Sequence, residues 1–297
     1  MGVIISSDYE YRFGNSFLLQ ENGDRLLLED ASGSLLINKN ETDDQPLTHA
    51  RIAHSRNWLP STFISASSTA AGYFAAAPNN TLTYERWKPT SGAGPHTWQI
   101  SSLSAVSLDY CCLAGHNLGS LGCTVTVEAY DGSAWAAVSA ASLIADDSPI
   151  MFLFNETTSS KWRIKIEGGS PTIAVIKFGR SMQMPRPLFG GLAPMELSRN
   201  TVMKMNISES GEYLGYSKWR TYLETTYSWK NLTAAWVYEQ WPTFQRAIET
   251  EPFFIAWRPD GYPAVAFGRA TAPATPSTSG TKDFMDVQLT MRAISHD

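Results

Sequence analysis

Between about Arg51 and Pro185, apolar side chains recur at every second position. In TVTVEAY, Val125, Val127 and Ala129 alternate with Thr124, Thr126, Glu128 and Tyr130, the pattern of a strand with one buried face. Asp131-Gly132 then turns the chain toward Trp135. In KWRIKIEGGSPTIAVIKFG, Trp162, Ile164 and Ile166 share one face and Arg163, Lys165 and Glu167 the other, before Gly168-Gly169-Ser170-Pro171 reverses the chain into Ile173 to Phe178. Many short alternating strands separated by turns predict a β-sandwich or jelly roll, with Trp135 and Trp162 in its interior.

The flanks carry other patterns. In FLLQENGDRLLLEDASGSLLIN the apolar runs Phe17 to Leu19, Leu26 to Leu28 and Leu35 to Ile37 are separated by Asn22-Gly23 and Ser32-Gly33-Ser34, which predicts short antiparallel strands. This arm, within residues 1–50, is too small to close a core and is expected to complete a neighbouring domain or reach another subunit. Lys39 to Pro46 reads as a linker. The prolines and glycines of MQMPRPLFGG mark a second boundary, so the sandwich is assigned to residues 51–185 and a C-terminal β-rich domain to residues 186–297. In that domain Thr201 to Ile207, Thr221 to Ser228, Pro252 to Trp257 and Asp286 to Met291 are expected strands. QWPTFQRAIETEP is an expected helix, with Pro242 in its first turn and Phe244, Ala247 and Ile248 on one face.

Composition narrows the function classes. A chain of 297 residues is long enough for two or three packed units. A formal net charge of -5 with 17% charged residues leaves no basic stripe for a nucleic-acid backbone. No run approaches the roughly 18 apolar residues of a membrane span, so no membrane insertion is expected, with synthesis in the cytoplasm. The cysteines Cys111, Cys112 and Cys123 are odd in number, and two are adjacent, which argues against a disulfide framework.

The candidate chemistry is thin. His116, in LAGHNLGSLG, has no second ligand at a metal spacing; Cys111 and Cys112 point to opposite sides of a strand, and Gly115 to Gly119 reads as a turn that His116 holds together. No GxSxG, Walker loop or GxGxxG is present. The remaining histidines lie in linker-like or terminal contexts, and the pairs Asp43-Asp44 and Asp146-Asp147 read as solvated loops. The expectation is therefore no enzyme, no catalytic residue, no metal and no cofactor. Tyr73, Phe74 and Trp87, with Trp58 and Trp98, fall in or beside loops of the sandwich, where a ring face could stack on a sugar; Tyr73, Phe74 and Trp87 are the candidate glycan-binding residues. Core packing is the alternative for each.

One segment carries a family resemblance. TWQISSLSAVSLDYCCLAGHNLGSLGCTVTVEAYDGSAWAAVS, followed by KWRIKIEGG, resembles the discoidin-like, galactose-binding-like β-sandwich family. In this order, with LLLEDASGSLLIN before it and EPFFIAWRPDGYP and DFMDVQLTMRAI after it, the chain resembles bacteriophage tail proteins. The resemblance implies a mainly β protein: a discoidin-like jelly roll flanked by an N-terminal β arm and a C-terminal β-rich domain with a short helix. It implies a structural, non-enzymatic subunit of a virion tail or tail tip, partnered by copies of itself and by neighbouring tail proteins. The alternative it carries is a carbohydrate-binding receptor-recognition module whose partner is host surface glycan.

Overall fold

A computed structural model describes residues 2–6, 47–60, 63–90, 92, 94–280 and 283–294. In chain order the first strands are β1 (Val3–Ile5), β2 (Arg51–Ala53), β3 (Phe63–Ala66), β4 (His96–His116), β5 (Thr124–Tyr130), β6 (Trp135–Leu143), β7 (Ile150–Glu167), β8 (Ile173–Gly179) and β9 (Met182–Gln183). Then follow β10 (Arg199–Ile207), β11 (Tyr213–Thr233), helix α1 (Ala234–Thr250), β12 (Phe253–Arg258), β13 (Tyr262–Ala270), β14 (Ser277–Thr278) and β15 (Phe284–Ala293). The protein is mainly β, and its middle segment is a sandwich.

Two long strands build that sandwich. The first half of β4 pairs with β3 and with the last part of β7, which also pairs with β5; β5 pairs in turn with β6. After register shifts between Ser101 and Val106 and between Leu108 and Tyr110, the second half of β4 pairs with the start of β7 and with β8. Bulges of this kind bend a strand, so β4 and β7 each cross from one sheet of the sandwich to the other. Between the sheets lie Trp98, Ile100, Val125, Val127, Trp162, Ile164 and Ile166 from one side, and Cys111, Leu113, Phe152, Phe154, Ile173 and Phe178 from the other.

The second layer of the sandwich is buried on its outer face as well. Tyr110, Cys112, Ala114, Met151, Leu153 and Val175 pack on Phe254, Ala256, Val265 and Phe267 of another sheet. That sheet has the order β10-β11-β15-β13-β12-β2-β9. Its opposite side, with Trp229, Phe253, Ile255, Leu289 and Met291, carries Val237, Trp241, Phe244 and Ile248 of α1. The run Phe253 to Ala256 is apolar throughout because alternate residues face two different cores. The layers are therefore sheet, sheet, sheet and helix.

Several expectations meet a different outcome. Helix α1 starts at Ala234, so Pro242 lies inside it rather than in its first turn. The missing N–H falls opposite Tyr238, on the exposed side, while Trp241 and Phe244 on the buried side hold the helix in place. Trp135 is half-buried on the outside of its sheet, its ring tilted against Tyr130 at 5.4 Å with the Arg163 guanidinium 4.3 Å from its centre, whereas Trp162 is wholly buried. Strands β2 and β9, at the ends of the segment assigned to the sandwich, pair with each other and β2 also with β12, in the second sheet. Of the N-terminal arm, Val3–Ile5 pairs in parallel with Met151 to Leu153 of the same chain. The strands expected over residues 17–37 lie outside the described residues.

The segment leaving β2 joins the two units through buried polar groups. Asn57 accepts hydrogen bonds from the His54 N–H and the Tyr110 hydroxyl, each at 2.9 Å, and donates to the Ile52 carbonyl at 3.2 Å. Gly179 lies so close to the Asn57 carbonyl and the Tyr110 ring that no Cβ fits there. Nearby, the buried Asp109 accepts from the Ser181 N–H at 2.6 Å and hydroxyl at 2.7 Å. Burial raises the pKa of that carboxyl, and the Arg51 charge works against the rise.

Candidate functional site

The sandwich-loop aromatics do not converge on a binding face. Trp87 is 0% exposed: its indole N–H donates to the Ser68 carbonyl at 2.9 Å, and its backbone exchanges hydrogen bonds with Ile173. No ring face is open to a ligand, which removes Trp87 as a glycan-binding residue. Tyr73 is half-buried with the Lys88 ammonium 6.0 Å from its ring centre, and Phe74 is 70% exposed. The following turn, Ala77–Asn79, is anchored to β8 by Lys177, whose ammonium donates to the Asn79 carbonyl and lies 4.2 Å from the Trp58 ring centre. Burial lowers the Lys177 pKa to about 8. Trp98 sits in the core with its indole N–H on the Ala75 carbonyl.

His116 is the last residue of β4, with its Nδ1 3.4 Å from the Leu118 N–H across the start of the turn. Cys111 and Cys112 face two different cores, and burial raises both thiol pKa values. Among the described residues, no three His, Cys, Asp or Glu side chains come together as metal ligands.

A cleft of about 650 Å³ opens at the seam between the sandwich and the second sheet. One wall is Ala114 and Gly115 at the end of β4 with the loop Asp146, Asp147, Ser148 and Pro149. Gly119 approaches the Asp146 backbone more closely than any Cβ would allow, and this seats the loop. Ser120 donates to Asp147 through its N–H at 2.9 Å and through its hydroxyl, while Asp146 accepts from the Ser148 N–H at 3.0 Å. Burial pushes the Asp147 pKa up, but the Ser120 hydrogen bonds outweigh it and hold the carboxylate charged.

The other wall belongs to the second sheet. Trp257 and Tyr262 flank the turn between β12 and β13 and stack at 4.8 Å with an interplanar angle of 22°. The turn is closed by the Arg258–Asp260 ion pair at 3.1 Å and by the Asp260 N–H on the Leu47 carbonyl. Tyr227 of β11 also lines the cleft. Its side chain is 1% exposed. Burial drives its pKa upward, with the Glu196 carboxylate, another cleft residue, adding to the rise; the phenol therefore stays a donor. The Trp257 indole N–H is buried without a partner among the described residues.

The cleft thus offers a stacked aromatic pair, one buried unpartnered donor and a phenol, an apolar floor with Ala266, Phe267 and Ile294, and ionisable side chains that, apart from the tyrosines, are all acidic. None of these residues was singled out as a site by sequence, although Trp257 and Tyr262 lie in the quoted EPFFIAWRPDGYP.

No family model and no curated protein matches the chain. Among solved structures, it is similar to chitosan-binding module 1 of a chitosanase/glucanase from Paenibacillus sp. IK-5, at 17% identity and a TM-score of 0.36, over 43% of this chain and 98% of that one. It is similar to the family 32 carbohydrate-binding module of C. perfringens NanJ, solved with galactose, at 15% identity and a TM-score of 0.36, over 44% and 98%. A third, the family 32 module of AlyQ solved with 4,5-unsaturated mannuronic acid, has 16% identity and a TM-score of 0.35, over 41% and 96%.

Proposed function

We propose that the protein is a non-catalytic saccharide-binding subunit and that the cleft at the seam is its binding site. The observation that carries this reading is the stacked Trp257–Tyr262 pair, with the buried Trp257 indole N–H left without a partner among the described residues and the Tyr227 phenol lining the same cleft. A pyranose presents an apolar C–H face suited to an aromatic ring and a rim of hydroxyls that need both donors and acceptors. Tyr227 and Trp257 supply donors; Glu196, Asp146 and Asp147 supply acceptors. Among the described residues that line the cleft, the charged side chains are Asp146, Asp147 and Glu196, which favours a neutral or amino-bearing sugar over an acidic one. The serine hydrogen bonds that keep Asp147 ionised deny it the proton a glycosidase acid must carry.

The setting we infer is a bacteriophage tail, with host surface glycan as the ligand and tail proteins as neighbours. It is supported by the tail-like segments around the sandwich, of which EPFFIAWRPDGYP contributes both rings of the stacked pair.

The test is calorimetric titration of the purified chain with neutral and amino-bearing oligosaccharides drawn from a glycan array. Trp257→Ala and Tyr262→Ala should each weaken binding by about 10-fold or more, an effect of roughly 1.4 kcal/mol, with the fold intact by circular dichroism. Binding unaffected by both, or lost instead on Phe74→Ala, would move the site to the sandwich loops. Release of new reducing ends would overturn the non-catalytic reading.

A further inference from the structure

Strand β10 is the terminal strand of the second sheet. Its partner β11 pairs with β15 only from Glu224 onward, so among the described residues the stretch of β10 and β11 beyond that point is a two-stranded ribbon. A ribbon of two strands is marginally stable in water, and this one is unusually apolar for an exposed element. Met205 is paired directly with Tyr216 and Ile207 with Tyr213, and Met203 follows the same alternation, so these five side chains share one face. Two register shifts insert one extra residue each into β11, Trp219 and Leu214. These seven side chains are between 48% and 76% exposed.

Charge separates this element from the rest of the molecule. Residues 199–220 carry four basic side chains, Arg199, Lys204, Lys218 and Arg220, against Glu209 and Glu212. The whole chain has a net charge of -5, so the ribbon is cationic and the remainder carries the anionic excess. At their observed exposures the seven apolar side chains offer on the order of 1,000 Å², close to what each partner contributes to a standard interface. A two-fold arrangement would use that area twice.

We infer that the β10–β11 ribbon is a self-association surface that lies against the anionic body of a second copy of this chain. The partner copy supplies both the apolar cover that the ribbon lacks and the opposite charge. An anionic membrane would attract the ribbon too, but it would repel the rest of the chain. A second copy accommodates both. This inference does not depend on the saccharide reading, since the ribbon residues 203–219 do not line the cleft.

The experiment is sedimentation of the full chain across concentration and salt. The wild-type chain should be dimeric or larger at roughly 50 μM and should dissociate progressively as ionic strength rises. The double variant Met205→Glu/Tyr216→Glu should be monomeric. Trp219→Ser should weaken association, and Lys204→Glu/Lys218→Glu should weaken it by about 10-fold or more. Each variant is accepted only if its circular dichroism and melting match wild type, and Trp219→Ser, the mildest, remains informative if the double variants fail to fold. A monomeric wild-type chain, variants that associate as wild type does, or association insensitive to both salt and charge reversal would overturn the inference. So would a monomer that binds anionic vesicles through the ribbon.

Discussion

Strands β5 and β10 are written in the same alternation and meet opposite surroundings. In β5, Val125, Val127 and Ala129 are buried in the sandwich core while the intervening residues are half-buried. In β10, Met203, Met205 and Ile207 alternate just as regularly and remain exposed. The difference lies in what the rest of the chain brings over each face. Strand β5 is flanked by β6 and β7 and covered by the opposite sheet. Among the described residues strand β10 has one neighbouring strand, and its Met203, Met205 and Ile207 side chains are exposed. Alternation therefore identifies a strand and a shared face, but the cover over that face comes from elsewhere in the chain or from outside it.

Tryptophan truncations give the widest test of this contrast. Trp162→Ala empties a site enclosed by Phe154 and Phe178 and is expected to cost about 3–5 kcal/mol in urea unfolding, a large share of the stability of an ordinary domain.

Acid should strike the seam between the units next. His54 is buried against Phe244 of α1 at 5.3 Å, and burial lowers its pKa from 6.5 to about 4. The unfolded chain takes up this proton first. The contribution is therefore complete above pH 6.5 and is lost as pH falls toward 4, amounting to about 3 kcal/mol in all. Stability curves of the wild type and His54→Gln should converge across that window. Taking their difference isolates His54 from Asp109, whose raised carboxyl acts in the opposite sense.

Trp135→Ala, which removes contacts to Tyr130 and Arg163 on an outer face, should cost about 1 kcal/mol in the same unfolding assay. The smallest effect belongs to the ribbon. Measured on a dilute monomer, Trp219→Ala should stay within about 0.5 kcal/mol of wild type. A loss as large as that for Trp162 would mean the ribbon already belongs to a core.

The parts legible in sequence were those that local pattern determines. Val125 to Ala129 and Trp162 to Ile166 show their buried faces by periodicity alone, and Gly168 to Pro171 marks the turn between strands. Trp87 was misread because it sits between loop-like neighbours, with no alternation to reveal that a single bridge to Ile173 places it in the core. Trp135 follows a strand pattern but falls on the outward parity. The cleft was invisible for a different reason: it joins Gly2, the loop at Asp146, Tyr227, Trp257 and Ile294, which only the packing of one sheet on another brings together. One signal was present. Four consecutive apolar residues from Phe253 to Ala256 indicate a strand covered on both sides, and hence a seam.

Because β4 and β7 each thread both sheets of the sandwich, neither sheet can open like a page from a spine. A pull along β4 loads the β3 and β7 ladders at one end and the β7 and β8 ladders at the other, so many hydrogen bonds resist together in shear rather than one after another. The inner sheet whose outer face backs the seam is tied into the same frame, through Tyr110 and Cys112 on that face and Cys111 on the other. Tension arriving through a neighbouring molecule would thus be passed across the sandwich as through a stiff plate, and the cleft wall that it carries would keep its shape while the pull lasts.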